Sequence, residues 1–442
     1  MSLFLPHRSG QDGPRLSNRR ASIVTVLDIG STKVACLIAR LKPRPPEEVM
    51  PGRSHSIEVV GYGYQRARGI KSGVVIDLDA AEHAVRLAVD AAERMAGVTV
   101  ESLILTQTCG RLGSETFTAK VDLDSESVSD HDIRKVLAAG STHSVRQGRS
   151  VVHALPIGYT LDGQRGIRDP RGMVGRRLGV DVHVVTSDEA PQRNLGLTVN
   201  RCHLDVEAMV ATPYASGLST LVDDEAELGA AVVDIGGGTS SIAVYGDGRL
   251  LHVDAVAIGG HHVTLDIANG LSIRLDDAER LKTLHGTCLS VSSDDHDMLT
   301  IHPVGEEDGG APLQIPRAAL NRIIRPRAEE ILELVRDRLV ASGCSSRVGR
   351  RIVLTGGGSQ LTGLLDVARS VFGRSVRLGR PLGIAGLPQA AKGPSFSAVV
   401  GLLIFPQVAV LDTSGSERPS AFAMTGTDGY FSRVGRWLRD SF

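Results

Sequence analysis

Two short segments of this 442-residue chain resemble each other in a way that suits polyphosphate. VLDIGSTKVACLI (26–38) and VVDIGGGTSSIAVY (232–245) each pass from apolar residues into Asp-Ile-Gly, then through small residues into a second apolar run. Asp28 and Asp234 lie 206 positions apart (234 − 28), a duplication at domain scale rather than a solenoid period. Each copy reads as a β-hairpin closed by a Gly/Ser/Thr turn. A turn without bulky side chains lets several backbone N–H groups reach phosphate oxygens. Gly30, Gly236, Gly237 and Gly238 keep that backbone bare, Ser31, Thr32 and Thr239 add hydroxyls, and Lys33 adds charge. Asp28 and Asp234, each at a strand end, can hold Mg2+ through water, because that ion keeps most of its hydration. Two facing copies would clamp phosphate and metal from both sides.

A third glycine cluster, VLTGGGSQLTGL (353–364), is expected to follow a strand and open a helix. The backbone bared by Gly356, Gly357 and Gly358 suits close approach to a sugar, base or phosphate. No GK[ST] follows, so it is not a P-loop. GYGYQRARG (61–69) does not fit GxGxxG, which argues against a Rossmann site. The paired histidines His261 and His262, and His302, lack ligand spacing and read as surface or structural.

The elements that must position these groups follow from the pattern. SIVTVLDIGSTKVACLIARL reads strand, tight turn, strand from Ala21 onward, and SIEVVGYGYQ returns as a strand. Asp77 and Asp79 open an amphipathic helix over 77–97 that ends at Gly97, as a C-cap would. LILTQT (103–108) is a strand. From Cys109 to Thr186 the texture changes to short strands, one short helix (130–140) and many Gly and Arg, which suggests a small α+β insertion. A long helix is expected over 327–342, leading to the strand RIVLT, and SFSAVVGLLIF (395–405) closes the core.

Composition excludes several classes. Net charge is −1 and 42% of residues are hydrophobic, which excludes global disorder and argues against a nucleic-acid partner. Five scattered cysteines without a CxxC pair give no disulfide framework and no zinc site, the pattern of a reducing compartment. The longest apolar run, 398–411, is too short to span a bilayer, and the N-terminus lacks a signal-peptide core. Residues 1–20 read as a disordered basic tail.

The only Trp is Trp437, and four of the few aromatics fall within the last fourteen residues. On a helix, Phe431, Val434, Trp437, Leu438 and Phe442 share one face, flanked by Arg433, Arg436 and Arg439. A helix of that length covers about 21 Å, suited to lying in a membrane interface with its arginines toward anionic lipid. A Ser/Thr/Gly/Pro linker over 407–428 precedes it.

The order DIGSTK, DIGGGT, VLTGGGSQL resembles the actin/Hsp70/sugar-kinase ATPase superfamily. The early helix, the segment HALPIGYTLDG…GIRDPRGMVG and the ending of apolar helix, linker and amphipathic tail resemble the bacterial cell-division family FtsA. The resemblance implies an α/β, actin-like two-lobed ATPase fold with duplicated mixed-sheet cores, a small inserted α+β subdomain and a C-terminal amphipathic helix. Its expected divisions are a first lobe over 21–108 that resumes at 379–406, an insertion over 109–186, and a second lobe over 187–249 and 326–378. The second lobe's small subdomain spans 250–325, followed by the linker and a membrane-targeting helix over 429–442.

By the same resemblance, ATP and Mg2+ are the cofactors. Asp28, Ser31, Thr32, Lys33, Asp234 and Gly236–Thr239 would contact phosphate or metal. Glu279 and Lys282 would reach ribose and adenine, and Gly356–Gly358 would lie under the nucleotide. The implied partners are the C-terminal tail of the tubulin-like protein FtsZ (through 250–325), later division proteins (through the insertion), further copies of the chain in filaments, and an anionic membrane surface. The implied place is the cytoplasmic face of the inner membrane at the division site. Two departures bear on turnover: Ser240 and Ser241 follow DIGGGT where many relatives have an Asp, and Thr212 stands where active relatives carry Glu or Gln. A hydroxyl orients an attacking water poorly, so binding with little or no hydrolysis is expected. The competing reading is a sugar or acetate kinase on the same core, which needs a carboxylate base facing the substrate.

Overall fold

A computed structural model describes residues 21–49, 52–108, 110–141, 146–289, 292–304 and 312–409. The basic tail (1–20) and the amphipathic segment (429–442) lie outside the described residues, as does the linker from residue 410 on.

The chain opens with a meander of β1 (Ser22–Ile29), β2 (Lys33–Pro43) and β3 (His55–Arg66), followed by a short hairpin of β4 (Ile70–Lys71) and β5 (Val74–Val75). Helix α1 (Leu78–Ala96) starts where expected: the Asp77 carboxylate accepts from the amides of Asp79 and Ala80, and Gly97 closes the helix at φ 67°. β6 (Ser102–Gln107) then pairs parallel with β1.

The insertion is a four-stranded antiparallel sheet of β7 (Gly113–Asp122), β8 (Arg149–Leu161), β9 (Gln164–Ile167) and β10 (Arg177–Asp188), ordered β7-β10-β8-β9. Helix α2 (Asp130–Ser141) packs on it and buries Ile133 and Val136 against Val180, Val182 and Val184.

Chain order and spatial order part company at the next step. α3 (Glu189–Asn200) and β11 (Asp205–Ala211) do not begin the second lobe, which the sequence pattern starts at residue 187. β11 pairs parallel with β6 and completes the first sheet, β11-β6-β1-β2-β3. The second sheet starts only after α4 (Thr212–Thr220) and α5 (Asp223–Leu228). It contains β12 (Ala230–Ile235), β13 (Ser240–Gly246) and β14 (Arg249–Val256), so the smaller subdomain starts after β14 and not at residue 250. That subdomain is built from α6 (Gly260–Leu271), α7 (Leu275–His285) and the hairpin of β15 (Met298–Ile301) and β16 (Leu313–Pro316).

Helix α8 spans Arg317–Ala341, ten residues longer at its start than the expected 327–342, and passes through Pro326. Leu320, Ile324, Ala328, Ile331, Leu332, Val335 and Leu339 are buried at helical spacing on both sides of that proline. Their burial, about 1.5–3 kcal/mol for each large side chain, outweighs the ~3 kcal/mol an interior proline costs. β17 (Arg351–Thr355), α9 (Leu364–Phe372) and β18 (Ser375–Leu378) complete the second sheet, β14-β13-β12-β17-β18.

α10 (Ser397–Val408) returns to the first lobe, and its start is buried on all sides. It runs past the expected boundary at 406: the Gln407 side chain accepts from the His55 amide and Ala409 is buried, so the linker does not begin at 407. α10 crosses α4 with almost nothing between them. A methyl group at Gly401 would overlap the carbonyl of Ala215. Hydroxyls fill the polar needs of this crossing: Ser219 Oγ donates to the Ser397 carbonyl at 2.7 Å, and Thr355 Oγ1 donates to Ser397 Oγ at 2.7 Å. These two helices lie between the sheets and share one apolar core with β1, β2, β11 and β12.

Candidate functional site

The duplicated hairpins superimpose in register. Ile29 pairs with Val34 and Asp28 with Ala35; 206 positions on, Ile235 pairs with Ser240 and Asp234 with Ser241. The turns close alike: the Gly30 amide donates to the Lys33 carbonyl at 2.9 Å, and the Gly236 amide donates to the Thr239 carbonyl at 2.8 Å. The two turns touch tip to tip. A Cβ on Gly238 would lie 2.5 Å from Ser31 Oγ and 2.9 Å from Ser72 Cα, and one on Gly237 would lie 3.0 Å from Thr32 Oγ1. Only glycine permits this approach.

Beside the turns opens a cavity of about 360 Å3. Of the residues named from sequence, Thr32, Gly236, Gly237, Glu279, Lys282, Gly357 and Gly358 line it. Asp28, Gly30, Ser31, Lys33, Asp234, Gly238, Thr239 and Gly356 do not line it; they form the two turns and strand ends behind it. Gly356, at φ 83°, is pressed against the Ile235 carbonyl, where a Cβ would lie at 2.5 Å. The third glycine cluster enters a 3-10 turn over Gly357–Gln360, and the α-helix begins only at Leu364. The apolar end of the cavity comes from Val263, Ala328, Ile331, Leu361 and Leu364. The sequence does not single these residues out, since nothing distinguishes them locally from other core positions.

Both carboxylates are buried and held. Thr106 Oγ1 donates to Asp28 Oδ1 at 2.8 Å, and Ser216 Oγ, from α4, donates to Asp234 Oδ2. Burial pushes the Asp234 carboxyl up to about 6, and the charge of Asp28 adds to this, while the Ser216 hydrogen bond and Lys33 oppose it. Asp234, raised chiefly by burial, is short of a cation, and two buried carboxylates at matching strand ends fit a hydrated Mg2+.

Lys33 behaves differently from the expectation that it reaches phosphate. Its ammonium donates to the Ser395 carbonyl and sits 3.8 Å from the centre of the Phe396 ring. Burial lowers its pKa, against the pull of Asp28 and Asp234. Lys282 is also engaged, donating to the Gly260 carbonyl (3.1 Å), Thr264 Oγ1 (2.8 Å) and Glu279 Oε2 (2.7 Å). Burial raises the Glu279 pKa, but Lys282 and the hydrogen bonds from Lys282 and Thr264 outweigh it and hold this carboxyl below its ordinary range.

His261, read from the sequence as surface or structural, lines the cavity at the start of α6. The amides of Gly260 and His261 donate to the carbonyls of Gly236 (2.9 Å) and Gly237 (2.7 Å), which staples α6 to the second turn. Arg66 of β3 pairs with Asp276 of α7 at 2.8 Å. Thr212 opens α4 with its hydroxyl 2.6 Å from that of Thr108.

Comparison with known proteins accounts for both the core and the insertion. The family described as "Cell division protein FtsA" matches residues 231–401, and the one described as "SHS2 domain inserted in FTSA" matches residues 110–186. A cell division protein FtsA from Rhizobium meliloti (strain 1021) is 55% identical over 445 residues, covering 100% of both chains. Among solved structures, a PilM–PilN type IV pilus biogenesis complex matches with a TM-score of 0.58 at 14% identity, covering 89% of this chain and 99% of that one. MreB 5 of Spiroplasma citri bound to AMPPNP matches at 0.51 and 13%, covering 88% and 96%. The structural likenesses carry the two-lobed actin-like fold alone. With that fold, the insertion at its place and an end-to-end relative at this identity, the chain belongs to the FtsA family of bacterial cell division proteins.

Proposed function

We propose that this cell division protein binds ATP with Mg2+ in the cleft, polymerises on the cytoplasmic face of the inner membrane, and ties the FtsZ ring to it. The observation that carries the nucleotide reading is the pair of register-matched Asp-Ile-Gly hairpins meeting at the cavity. In this reading the bared amides of both turns and the hydroxyls of Ser31, Thr32 and Thr239 take the phosphates. Asp28 and Asp234 hold Mg2+ through water, and the ion offsets phosphate charge. Glu279 and Lys282 face the sugar, and the wall of Val263, Ile331 and Leu364 takes the base.

Turnover is slow in this proposal. A hydroxyl at Thr212, already paired with Thr108, is a weak substitute for an amide or carboxylate that orients water. The smaller subdomain of the second lobe binds the FtsZ C-terminal tail, and the insertion recruits later division proteins. Among the described residues no helix is long and apolar enough to cross a membrane. Attachment is assigned to residues 429–442, one short helix per copy, so that filament formation supplies the avidity.

The test is co-sedimentation with liposomes containing anionic lipid, with ATP, Mg2+ and FtsZ. The full chain is expected to carry FtsZ down; a chain ending at Asp428 is not. Equal FtsZ recruitment by both chains would overturn the tether.

A further inference from the structure

A polyphosphate needs positive charge, and both lysines of the expected site, Lys33 at the phosphates and Lys282 at the sugar and base, are committed to the protein. Lys33 is turned onto the Ser395 carbonyl, and Lys282 is divided among Gly260, Thr264 and Glu279. The amides at the start of α6 are likewise used on the carbonyls of Gly236 and Gly237. One basic group on the cavity wall stays uncommitted: among the described residues no hydrogen bond engages the ring of His261. Its backbone is fixed within 2.7 Å of the Gly237 carbonyl, so the ring is held beside the second phosphate turn.

We propose that the imidazole of His261 is a phosphate-binding group whose protonation couples nucleotide affinity to pH. The inference rests on the nucleotide reading above and adds a ligand and a proton to it. The groups facing His261 are Glu279 and Lys282 from α7, its neighbour His262, and Arg66 from β3, whose charge is shared with Asp276. Without nucleotide, burial lowers the ring's pKa, and Lys282, His262 and Arg66 act the same way against Glu279. A polyphosphate beside the ring reverses that balance and favours the imidazolium. The bound state then takes up a proton that the free protein lacks, so affinity rises as pH falls through the window between the two pKa values. The neighbouring His262 is engaged elsewhere, since its Nδ1 accepts from the Gly259 amide at 3.2 Å and caps the helix.

The experiment is calorimetric titration of the full chain with Mg·ATP between about pH 8 and about pH 6, alongside His261→Gln. Because ATP itself titrates in this range, the readout is the ratio of the two affinities. That ratio is expected to grow about fivefold in favour of the wild type toward the acid end. NMR of the wild type gives a second reading independent of the variant's folding: the titration midpoint of His261 moves to higher pH when Mg·ATP is added. Parallel affinities across the range, or an unmoved midpoint under saturating nucleotide, overturn the role of His261 and leave the nucleotide site standing. No binding by the wild type at any pH overturns the nucleotide reading, and this inference with it.

Discussion

Replacing Asp234 by Asn tests whether the second carboxylate is poised for a cation. In the folded protein its carboxyl rises from 3.8 to about 6, first through burial and then through Asp28. At about 1.4 kcal/mol per pH unit, ionising it inside the fold costs roughly 3 kcal/mol. The folded state holds this proton more tightly than the unfolded chain does. Its stabilising contribution is therefore complete below about pH 4 and is lost as pH rises through about 6. Asn keeps the shape and can still accept from Ser216, but it never ionises. The two proteins should match in urea unfolding near pH 4, and the variant should be more stable by roughly 3 kcal/mol above pH 6. Mg2+ with ATP should stabilise the wild type and do much less for the variant, which lacks the charge proposed to hold the ion. A stability difference that does not change with pH, or a variant less stable than wild type at pH 7, would refute the reasoning.

Three further substitutions probe the cleft and the helix crossing behind it. Gly356→Ala forces a side chain into a left-handed conformation (φ 83°) and against the Ile235 carbonyl, so nucleotide-induced stabilisation in a thermal shift assay should vanish, with about 2 kcal/mol of stability lost. Gly401→Ala places a methyl group on the Ala215 carbonyl where α10 crosses α4 and should cost on the order of 3 kcal/mol, read as a lowered denaturation midpoint. Thr212→Gln introduces an amide at the start of α4 and, on the proposed slow turnover, should raise ATP hydrolysis about tenfold, measured by phosphate release; an unchanged rate would remove Thr212 as the proposed limit.

What is legible in the sequence is what repeats or is capped. The hairpins can be aligned because Asp-Ile-Gly recurs with the same flanks, and their registers agree residue for residue. The bounds of α1 are legible because Asp77 and Gly97 mark its ends chemically. Non-local features are less readable. That β11 belongs with β6 depends on a parallel pairing about a hundred residues apart in sequence, and no local pattern encodes it. Helix α8 crosses Pro326, where turn rules advise stopping, because tertiary burial outweighs the local preference. Lys33 sits in the expected motif, yet its ammonium follows a carbonyl and a ring from residues 395 and 396. His261 does not stand out because two adjacent histidines carry no ligand spacing; the stapling of α6 to the second turn gives it its place.

The contact between α4 and α10 has a mechanical consequence. Where Gly401 meets Ala215, backbone rests on backbone with no room for a side chain between them, and one turn away the Ser219–Ser397 hydrogen bond ties the two helices. Such a contact resists compression, as a fulcrum does. Asp234 is held by Ser216, the residue next to that fulcrum, so a change in charge at the cleft acts on a very short lever arm. The outer parts of the lobes lie at the long end. A small adjustment at the cleft would then be read at the periphery as a much larger displacement.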